Sequence, residues 1–442
     1  MFKFNQWLAL LIFSLTSSAS FAQIYLDKAL ISVDDRSDSA LYIINDVQII
    51  NNEKTRDYII MRELYFDAGD TTTLHELSLA QKRLLNLFLF NRVIFDLLRN
   101  GDQYILTIYV SEMWYVFPVP VFYLNERSWD KLSYGAKLLY YNFLGRNILL
   151  NLTAAFGYNP EYKFSYRNPW FGGDLKLFTN LMIYKSRVRT QTLQYRPSDD
   201  NRTGISWLLG RRFGKYFYTS ALAEYVQIRH PLITMSSNHL DKLSSYGLEF
   251  TWDDRDLVAY PHRGILAAVW GKQTIGNDPI HYRRYGIDVR SYLPFFRKTT
   301  LATRSALILS DGEIPLYDRT FFGYEERIRG RFYNKFEGEN LAAGSIELRI
   351  PIKKISYVDM SEYAFPGFEK YFQNLKYGLS AGIFYDFGAT WYQDDTLTDK
   401  DYLSGFGAGI HFHLPYIDLF RLEVAFDPDW NHEFIAEIKA AF

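Results

Sequence analysis

The residues of this sequence best suited to chemistry are two histidines, His411 and His413, and two adjacent aspartates, Asp253 and Asp254. The histidines would share one face of a strand, but a zinc site needs three or four ligands and no further ligand is evident. The aspartates fall in a turn signal, with no partner acid and no pocket. There is also no phosphate-binding glycine loop and no nucleophile elbow. The sequence therefore predicts a protein that is not an enzyme and that uses no metal and no cofactor.

The composition favours a membrane protein over a soluble enzyme. The 442 residues include no cysteine, which excludes a disulfide framework and a thiolate metal site. The net charge of −1 argues against a nucleic-acid partner, because such a partner attracts a strongly basic surface. The 35 tyrosines and 35 phenylalanines are typical of the aromatic belts at the two interfaces of a membrane barrel.

The N-terminus has the pattern of a secretory signal peptide. Lys3 is followed by a short apolar run, Leu8 to Leu15, and by a small residue, Ala22, at the cleavage site. We expect a signal peptide over residues 1–22 and a polar leader over 23–40, because the apolar run is too short for a membrane anchor. No later segment suits a transmembrane helix. The exported chain is therefore either soluble or spans a membrane as a closed barrel.

Residues 41–113 have the pattern of a small α+β domain. Thr73 and Glu76 form a capping box before a run of apolar residues at helical spacing. The predicted order is strand, helix, helix, strand and strand, over Tyr42 to Ile50, Ile60 to Leu64, Leu77 to Leu87, Val93 to Leu97 and Leu106 to Val110.

After this domain, helical spacing disappears and period-two alternation takes over. In one segment Leu422 and Val424 alternate with Arg421 and Glu423. A soluble β-sandwich alternates too, but here charged residues recur on one face of many segments while the other face stays aliphatic or aromatic. This pattern indicates a polar lumen surrounded by lipid.

About seventeen segments alternate in this way, and bacterial barrels generally close with an even number of strands. We assign the surplus segment, Thr190 to Arg196, to a loop. The predicted fold class is therefore a membrane β-barrel of sixteen antiparallel strands over residues 114–442, preceded by the small α+β domain.

Five motifs follow one another in the order of a known superfamily. They are Arg62-Glu63-Leu64 with Gly69-Asp70, Trp252 to Asp256 with Pro261 and Arg263-Gly264, Ile328-Arg329-Gly330 with Phe332, Ser345 to Arg349, and Phe384 to Gly388. In this order they resemble the BamA/TamA-like outer-membrane insertases and polypeptide transporters. The resemblance implies one POTRA domain over 41–113 and an outer-membrane barrel over 114–442. Arg331 departs from the family pattern, because an aromatic residue usually stands there.

The third motif lies in residues 310–340, a long stretch rich in aromatic side chains that predicts a loop folded back into the lumen. By strand parity Glu347 and Asp386 both point inward, on strands expected to be neighbours. The resemblance implies that Arg329 pairs with these carboxylates, and the alternative is a solvated surface arginine. The predicted loop lock consists of Arg329, Gly330, Phe332, Glu347 and Asp386.

The first barrel strand, Tyr115 to Leu124, and the last, His432 to Phe442, must meet to close the barrel. Prolines in the first strand lack the N–H that a ladder needs, which favours an edge position. We interpret the junction as a lateral seam at which client strands pair with exposed backbone, and the alternative is that the prolines stiffen a linker. The terminal phenylalanine is typical of a closing strand. The seam residues are Pro118, Val119, Pro120, Ala436, Ile438 and Phe442.

The family analogy also implies a docking site on the first domain. The strand with Val93, Phe95 and Leu97, or its groove with the second helix, would accept extended client segments, and the alternative is a passive spacer. The expected partners are unfolded outer-membrane or secreted polypeptides, outer-membrane lipid and accessory subunits. The expected location is the bacterial outer membrane, with the POTRA domain in the periplasm.

Three functions stay open on this reading of the sequence. The first is insertion of other barrels, the second is secretion of one dedicated partner protein, and the third is a passive pore or structural barrel. A single POTRA domain favours an accessory or specialised role, since the main insertase of a cell usually has more. The long connection Lys353 to Lys376 either binds a partner or is a variable insertion.

Overall fold

The computed structural model describes residues 40–442 except 102, 125–128, 190–191, 193, 195–198, 324–325, 332–335, 396 and 398–401. The predicted signal peptide, almost all of the leader and Phe332 lie outside the described residues. Most of the surplus segment does too, and its two described residues, Thr192 and Gln194, belong to no strand.

The first domain is a small α+β unit with one hydrophobic core. Its elements are β1 (Tyr42–Ile50), α1 (Asp57–Met61), β2 (Thr71–Thr72), α2 (Leu74–Leu85), β3 (Phe90–Asn100) and β4 (Gln103–Glu112). The sheet order is β2-β1-β4-β3, with β1 parallel to β4 and β3 antiparallel to β4. The predicted order of elements is confirmed, and β2 adds a short edge strand.

Helix α2 begins where its capping residues predict. The Thr73 side chain accepts a hydrogen bond from the Glu76 backbone N–H at 3.2 Å, which satisfies one free donor of the first turn. Helix α1 is shorter than the predicted apolar stripe, since it ends at Met61 and the chain then turns. Leu64 is nevertheless 1% exposed, because it packs into the core from the turn.

The second domain is a 16-stranded antiparallel barrel sheet, which confirms the predicted fold class and strand number. Its strands are β5 (Val116–Leu124), β6 (Leu132–Phe143), β7 (Ile148–Gly157), β8 (Glu161–Phe171), β9 (Leu177–Arg189), β10 (Asp199–Phe213), β11 (Phe217–Arg229), β12 (Leu240–Asp253), β13 (Gly264–Ile275), β14 (His281–Pro294), β15 (Thr300–Glu313), β18 (Asn340–Val358), β19 (Leu375–Trp391), β20 (Leu403–Leu414), β21 (Asp418–Phe426) and β22 (His432–Ile438). Each strand pairs with the next along the chain, from β5 to β22. No described helix is both long and apolar enough to cross a membrane.

The predicted inward loop is shorter than residues 310–340. Strand β15 continues to Glu313 and β18 already begins at Asn340, so the connection covers 314–339. Within it, β16 (Thr320–Phe322) and β17 (Phe336–Gly338) form a separate two-stranded sheet. This strand pairing satisfies part of the backbone N–H and C=O groups of the connection, for which the sequence predicts no partner.

Register places one set of side chains inside the barrel. Arg290, Arg304, Ser345 and Asp386 lie opposite one another across four neighbouring strands. Side chains of the connection 314–339 contact three of these four residues, so this face is the lumen. The other face carries large apolar side chains that are more than one-third exposed, among them Leu248, Val269, Ile287, Ile346 and Ile383. An apolar outer wall around charged inner positions is the arrangement that lipid requires.

Candidate functional site

Arg329 is the centre of a buried ionic cluster in the lumen. Its guanidinium donates to both carboxylate oxygens of Asp386, at 2.7 and 2.8 Å, in a bidentate pair. It also donates to Glu347 at 2.8 Å and to Glu423 at 3.1 Å. Its face lies 3.5 Å from the ring centroid of Phe384. Arg329 is 5% exposed, so the structure brings together the described charged residues of the predicted loop lock.

The cluster is electrically balanced by two further arginines from the barrel wall. Arg349 donates to Glu347 at 2.8 Å, and Arg421 donates to Glu423 at 2.6 Å. Three guanidinium groups therefore face three carboxylates, from β18, β19, β21 and the loop. A balanced, hydrogen-bonded set avoids the high cost of an unpaired buried charge. Glu423 was missing from the predicted lock, although its alternation with Leu422 places it in the lumen.

Gly330 allows the loop to lie directly on strand backbone. Its φ of +94° is in the left-handed region, and a Cβ there would lie 2.6 Å from the carbonyl oxygen of Phe426. On the facing strand β20, a Cβ at Gly405 would lie 1.9 Å from the carbonyl oxygen of Arg329. Gly330 thus makes room for β21, and Gly405 makes room for the loop. Side-chain patterning alone does not reveal this close approach.

Neighbouring loop residues add further anchors to the wall. Arg304 of β15 binds the loop residue Glu326 at 2.6 and 2.8 Å. On the other side, loop residue Arg327 reaches Glu437 of β22 at 2.7 Å, and the Gly330 N–H donates to Glu433 at 2.9 Å. The loop therefore contacts the last strand of the barrel as well as its middle strands.

The predicted seam lies between the two ends of the strand order. Strands β22 and β5 are the terminal strands of the 16-stranded sheet, and among the described residues no ladder joins them. By register, Pro118 and Pro120 face outward with Ala436 and Ile438, whereas Val119 faces the lumen. The structure thus places most of the predicted seam residues on the lipid-facing side of the terminal strands.

Phe442 is not a seam residue, which corrects the prediction that the last strand runs to the terminal aromatic. Strand β22 ends at Ile438, and Lys439 adopts a φ of +116° that turns the chain inward. Phe442 is 8% exposed and stacks on Tyr292 at 6.3 Å in the lumen, with its ring 5.5 Å from Arg349. Tyr260, Tyr292 and Phe442 surround the Arg349 guanidinium, and these cation–π contacts stabilise the inward turn of the chain.

The predicted docking residues occupy a sheet edge, but their side chains point the wrong way for contact with a client. Val93 is 3% exposed and Phe95 is 6% exposed, and Leu97 packs against the same core. Only the backbone of β3 is available at this edge. The Val93 carbonyl already accepts a hydrogen bond from the Gln81 side chain at 2.7 Å. Sequence parity could not distinguish the two faces, since both carry apolar residues.

The first domain lies across one end of the barrel, hereafter the proximal end. Lys82 of α2 donates to the Asp256 carboxylate at 3.3 Å, and Asn86, directly after α2, donates to the Asp256 carbonyl at 3.1 Å. The connection 359–374 between β18 and β19 packs on the opposite side of the domain. Lys54 donates to the Tyr371 hydroxyl at 2.8 Å, and Trp114 stacks on Phe368 at 4.6 Å. The long connection of the sequence thus links the two domains, and we call residues 359–374 the strut.

The two histidines are hydrogen-bonded inside the barrel wall. His411 lies 3.0 Å from the Tyr260 hydroxyl and 3.2 Å from Glu423, and His413 lies 3.0 Å from the Ser380 hydroxyl. Within the described part of the chain there is no group of three acidic, histidine or cysteine side chains arranged to hold a metal ion.

Comparison with known proteins agrees with this architecture. Residues 142–434 match the model of the Omp85 superfamily domain, and residues 42–113 match the POTRA model, described as a surface antigen variable number repeat. No curated protein sequence matches the chain. Among solved structures, BamA from Haemophilus ducreyi lacking POTRA domains 1–3 is similar, with 18% identity over 89% of this chain and 83% of that chain and a TM-score of 0.50.

CdiB from Acinetobacter baumannii is also similar, with 16% identity over 91% of this chain and 71% of that chain and a TM-score of 0.50. At such low identity these likenesses concern the fold alone. The family match extends over more than half of the 442 residues. The chain therefore belongs to the Omp85 superfamily and carries one POTRA domain in front of its barrel.

Proposed function

We propose that this protein lies in the bacterial outer membrane, with its POTRA domain in the periplasm, and assists the insertion of barrel proteins or the translocation of polypeptides. Its clients are unfolded outer-membrane or secreted polypeptides, with accessory subunits as further partners. The observation that carries the proposal is the pair of terminal strands, β5 and β22, which no described ladder joins. A passive pore has no need of such an edge.

The chemistry of the terminal strands supports an opening seam. Pro118 and Pro120 remove two backbone donors from one and the same side of β5, and since its pairing with β6 is continuous we expect the incomplete ladder on the side that faces β22. Strand β22 has seven residues, fewer than any other strand of the barrel, and it leaves the wall at Lys439. An extended client segment could add to the free backbone of β22 by strand pairing.

The lumen cluster supplies a fixed support for this seam. Arg327 and Gly330 of the loop bind Glu437 and Glu433 on β22, while Arg329 binds the neighbouring strands. We assign to the loop lock the task of holding the last strand in register while the facing edge stays free. The POTRA domain would present clients to this edge through the backbone of β3 beyond Val93.

A disulfide across the seam tests the proposal directly, since the chain has no cysteine of its own. Pro120→Cys with Ala436→Cys places two thiols on the outer face of β5 and β22. The matched control is Leu422→Cys with Ala436→Cys, which joins partners that already lie opposite each other on β21 and β22. Oxidation should abolish function in the first pair and leave it intact in the second. A seam disulfide that forms without loss of function would refute the lateral opening.

Depletion of the protein followed by an outer-membrane and secreted proteome identifies the client class. Broad loss of barrel proteins supports insertion, and loss of one secreted protein supports dedicated export. An unchanged proteome together with high ion conductance in planar bilayers would favour a passive pore and contradict the proposal.

A further inference from the structure

A cleft of 750 Å³ lies at the proximal end, between the POTRA domain and the barrel wall. One side is formed by α1 and the turn that follows it, with Tyr58, Arg62 and Tyr65. The other side is formed by the β6–β7 and β8–β9 connections, with Arg146 and Lys176, and by Trp170 at the end of β8. The cleft shares no lining residue with the loop lock or with the seam, and none of the contacts described above uses it.

The cleft contains several basic side chains, and the most buried of them, Arg62, has a donor that is not used in a hydrogen bond. The Arg62 side chain is 10% exposed, its Nε lacks a hydrogen-bond partner, and its closest carboxylate oxygen, on Glu63, is 3.5 Å away. One Nη donates a long 3.4 Å bond to the Trp170 carbonyl. Arg146 and Lys176 also line the cleft, and within the described residues neither has an ion pair. A buried guanidinium with spare donors is a binding group for an anion.

Aromatic rings hold these cations close together despite their mutual repulsion. The Trp170 ring has the Arg62 guanidinium at 5.1 Å, the Arg212 guanidinium at 5.5 Å and the Lys176 ammonium at 5.9 Å. Tyr65 has further cations around its ring. Cation–π contacts stabilise each cation without neutralising it, so these groups keep their capacity to bind an anion.

The surroundings of the cleft are those of a membrane interface. Tyr166, which lines the cleft, is on the outward face of β8 and continues the apolar outer wall. At the tips of the adjacent connections, Leu144 is 57% exposed and Leu175 is 54% exposed. Exposed leucines beside a tryptophan and basic side chains are typical of a rim that contacts lipid headgroups and the ends of acyl chains.

Carboxylates also line the cleft. Asp67, Asp70 and Asp174, hereafter the aspartate rim, are among its lining residues, so the cleft presents acidic as well as basic groups. Asp70 is partly engaged, since one of its carboxylate oxygens accepts a hydrogen bond from the Asp67 backbone N–H at 2.8 Å. A ligand that joins a phosphate to a primary amine would match both the basic and the acidic groups of the cleft.

We propose that this cleft binds the headgroup of a phospholipid with a primary amine, as in phosphatidylethanolamine, from the leaflet that faces the POTRA domain. The phosphate binds Arg62 and Lys176, the amine binds the aspartate rim, and the acyl chains follow the outer wall beside Tyr166. This inference rests on the membrane location proposed above. The bound lipid would add a further link between the POTRA domain and the barrel, beside direct contacts such as that of Arg62 with the Trp170 carbonyl.

Native mass spectrometry of the delipidated full-length protein in detergent, mixed with short-chain phosphatidylethanolamine, tests the site. The variant Arg62→Gln/Lys176→Gln should bind the lipid about tenfold more weakly, because two charge-assisted contacts to the phosphate are lost. The control Lys163→Gln/Arg167→Gln removes the same charge from the lumen face of β8 and should bind as the wild type does.

Three results would overturn the inference. Equal binding by Arg62→Gln/Lys176→Gln and wild type would remove the site. Displacement of the lipid by inorganic phosphate alone would make it a simple anion site, and equal affinity for phosphatidylcholine would remove the role of the aspartates. These results leave the seam disulfide and the proteome experiment unaffected. Conversely, recovery of the protein from a soluble fraction would refute the proposed location as well.

Discussion

The substitution Arg329→Ala removes the centre of the lumen cluster and should release the loop from the barrel wall. It deletes five side-chain hydrogen bonds, to Asp386, Glu347, Glu423 and Ser345. Breaking a buried ion pair by removing one partner costs about 3–5 kcal/mol, because the other charge stays buried without compensation. We expect a loss of that order in the free energy that holds the loop in the lumen.

The contacts that remain in Arg329→Ala predict which carboxylate loses most of its charge compensation. Glu347 keeps Arg349 at 2.8 Å, and Glu423 keeps Arg421 at 2.6 Å. Asp386 keeps only neutral partners, such as the Ser345 hydroxyl at 2.6 Å. Neutralising it with Asp386→Asn in the Arg329→Ala background should therefore restore part of the lost stability. The double-mutant cycle should show a coupling of roughly 1–3 kcal/mol.

Heat-dependent gel migration and thermal melting in detergent measure barrel stability, and limited proteolysis within 314–339 reports on the loop. Arg331→Ala is the matched control, since this side chain is 17% exposed and lies 3.9 Å from Asp427. A long ion pair made by a partly exposed arginine contributes about 0–1 kcal/mol, so the control should lose much less stability than Arg329→Ala. Arg329→Ala with unchanged melting and proteolysis, or a strictly additive double mutant, would refute the ionic lock.

Three further outcomes follow from the structure. Gly330→Ala should destabilise the loop by about 1–3 kcal/mol, because its Cβ would meet the Phe426 carbonyl at 2.6 Å. Gly367→Ala, with a φ of +86° but open space around the Cβ, should cost less, and equal losses in melting would contradict the steric argument. Tyr371→Ala should loosen the POTRA domain, seen as a broader distance distribution between spin labels on the two domains, and an unchanged distribution would show that the strut is dispensable. Burial lowers the pKa of His262 below the ordinary histidine value of 6.5, so its contribution to stability is complete above that pH and is lost as the pH falls. The melting temperature should therefore change less between pH 8 and pH 5 in His262→Gln than in the wild type. Equal changes in the two proteins would refute this contribution of His262.

Local periodicity in the sequence was sufficient to predict the barrel and the side of the wall on which many residues lie. A strand repeats every two residues, so alternation alone places Glu347, Asp386 and Glu423 on the lumen face. The cap at Thr73 and the order of the motifs were equally local signals, and they predicted the start of α2 and the Omp85 family. The family resemblance predicted the partners of Arg329, because strand parity gives the face on which a side chain lies but not its distance from another side chain.

Only the tertiary structure decided which lumen groups meet. Glu423 joins Arg329 because the curvature of the closed wall brings β21 beside the loop, and the strand alternation contains no information on curvature. The inward turn at Lys439, which carries Phe442 to Tyr292, depends on an aromatic box assembled from distant strands. The same limit applies to Val93 and Phe95, since both faces of β3 carry apolar residues and only the packing of α2 on one face decides which is buried. Alternation along a strand is a property of neighbouring residues, whereas closure, burial and ion pairing depend on segments that folding brings together.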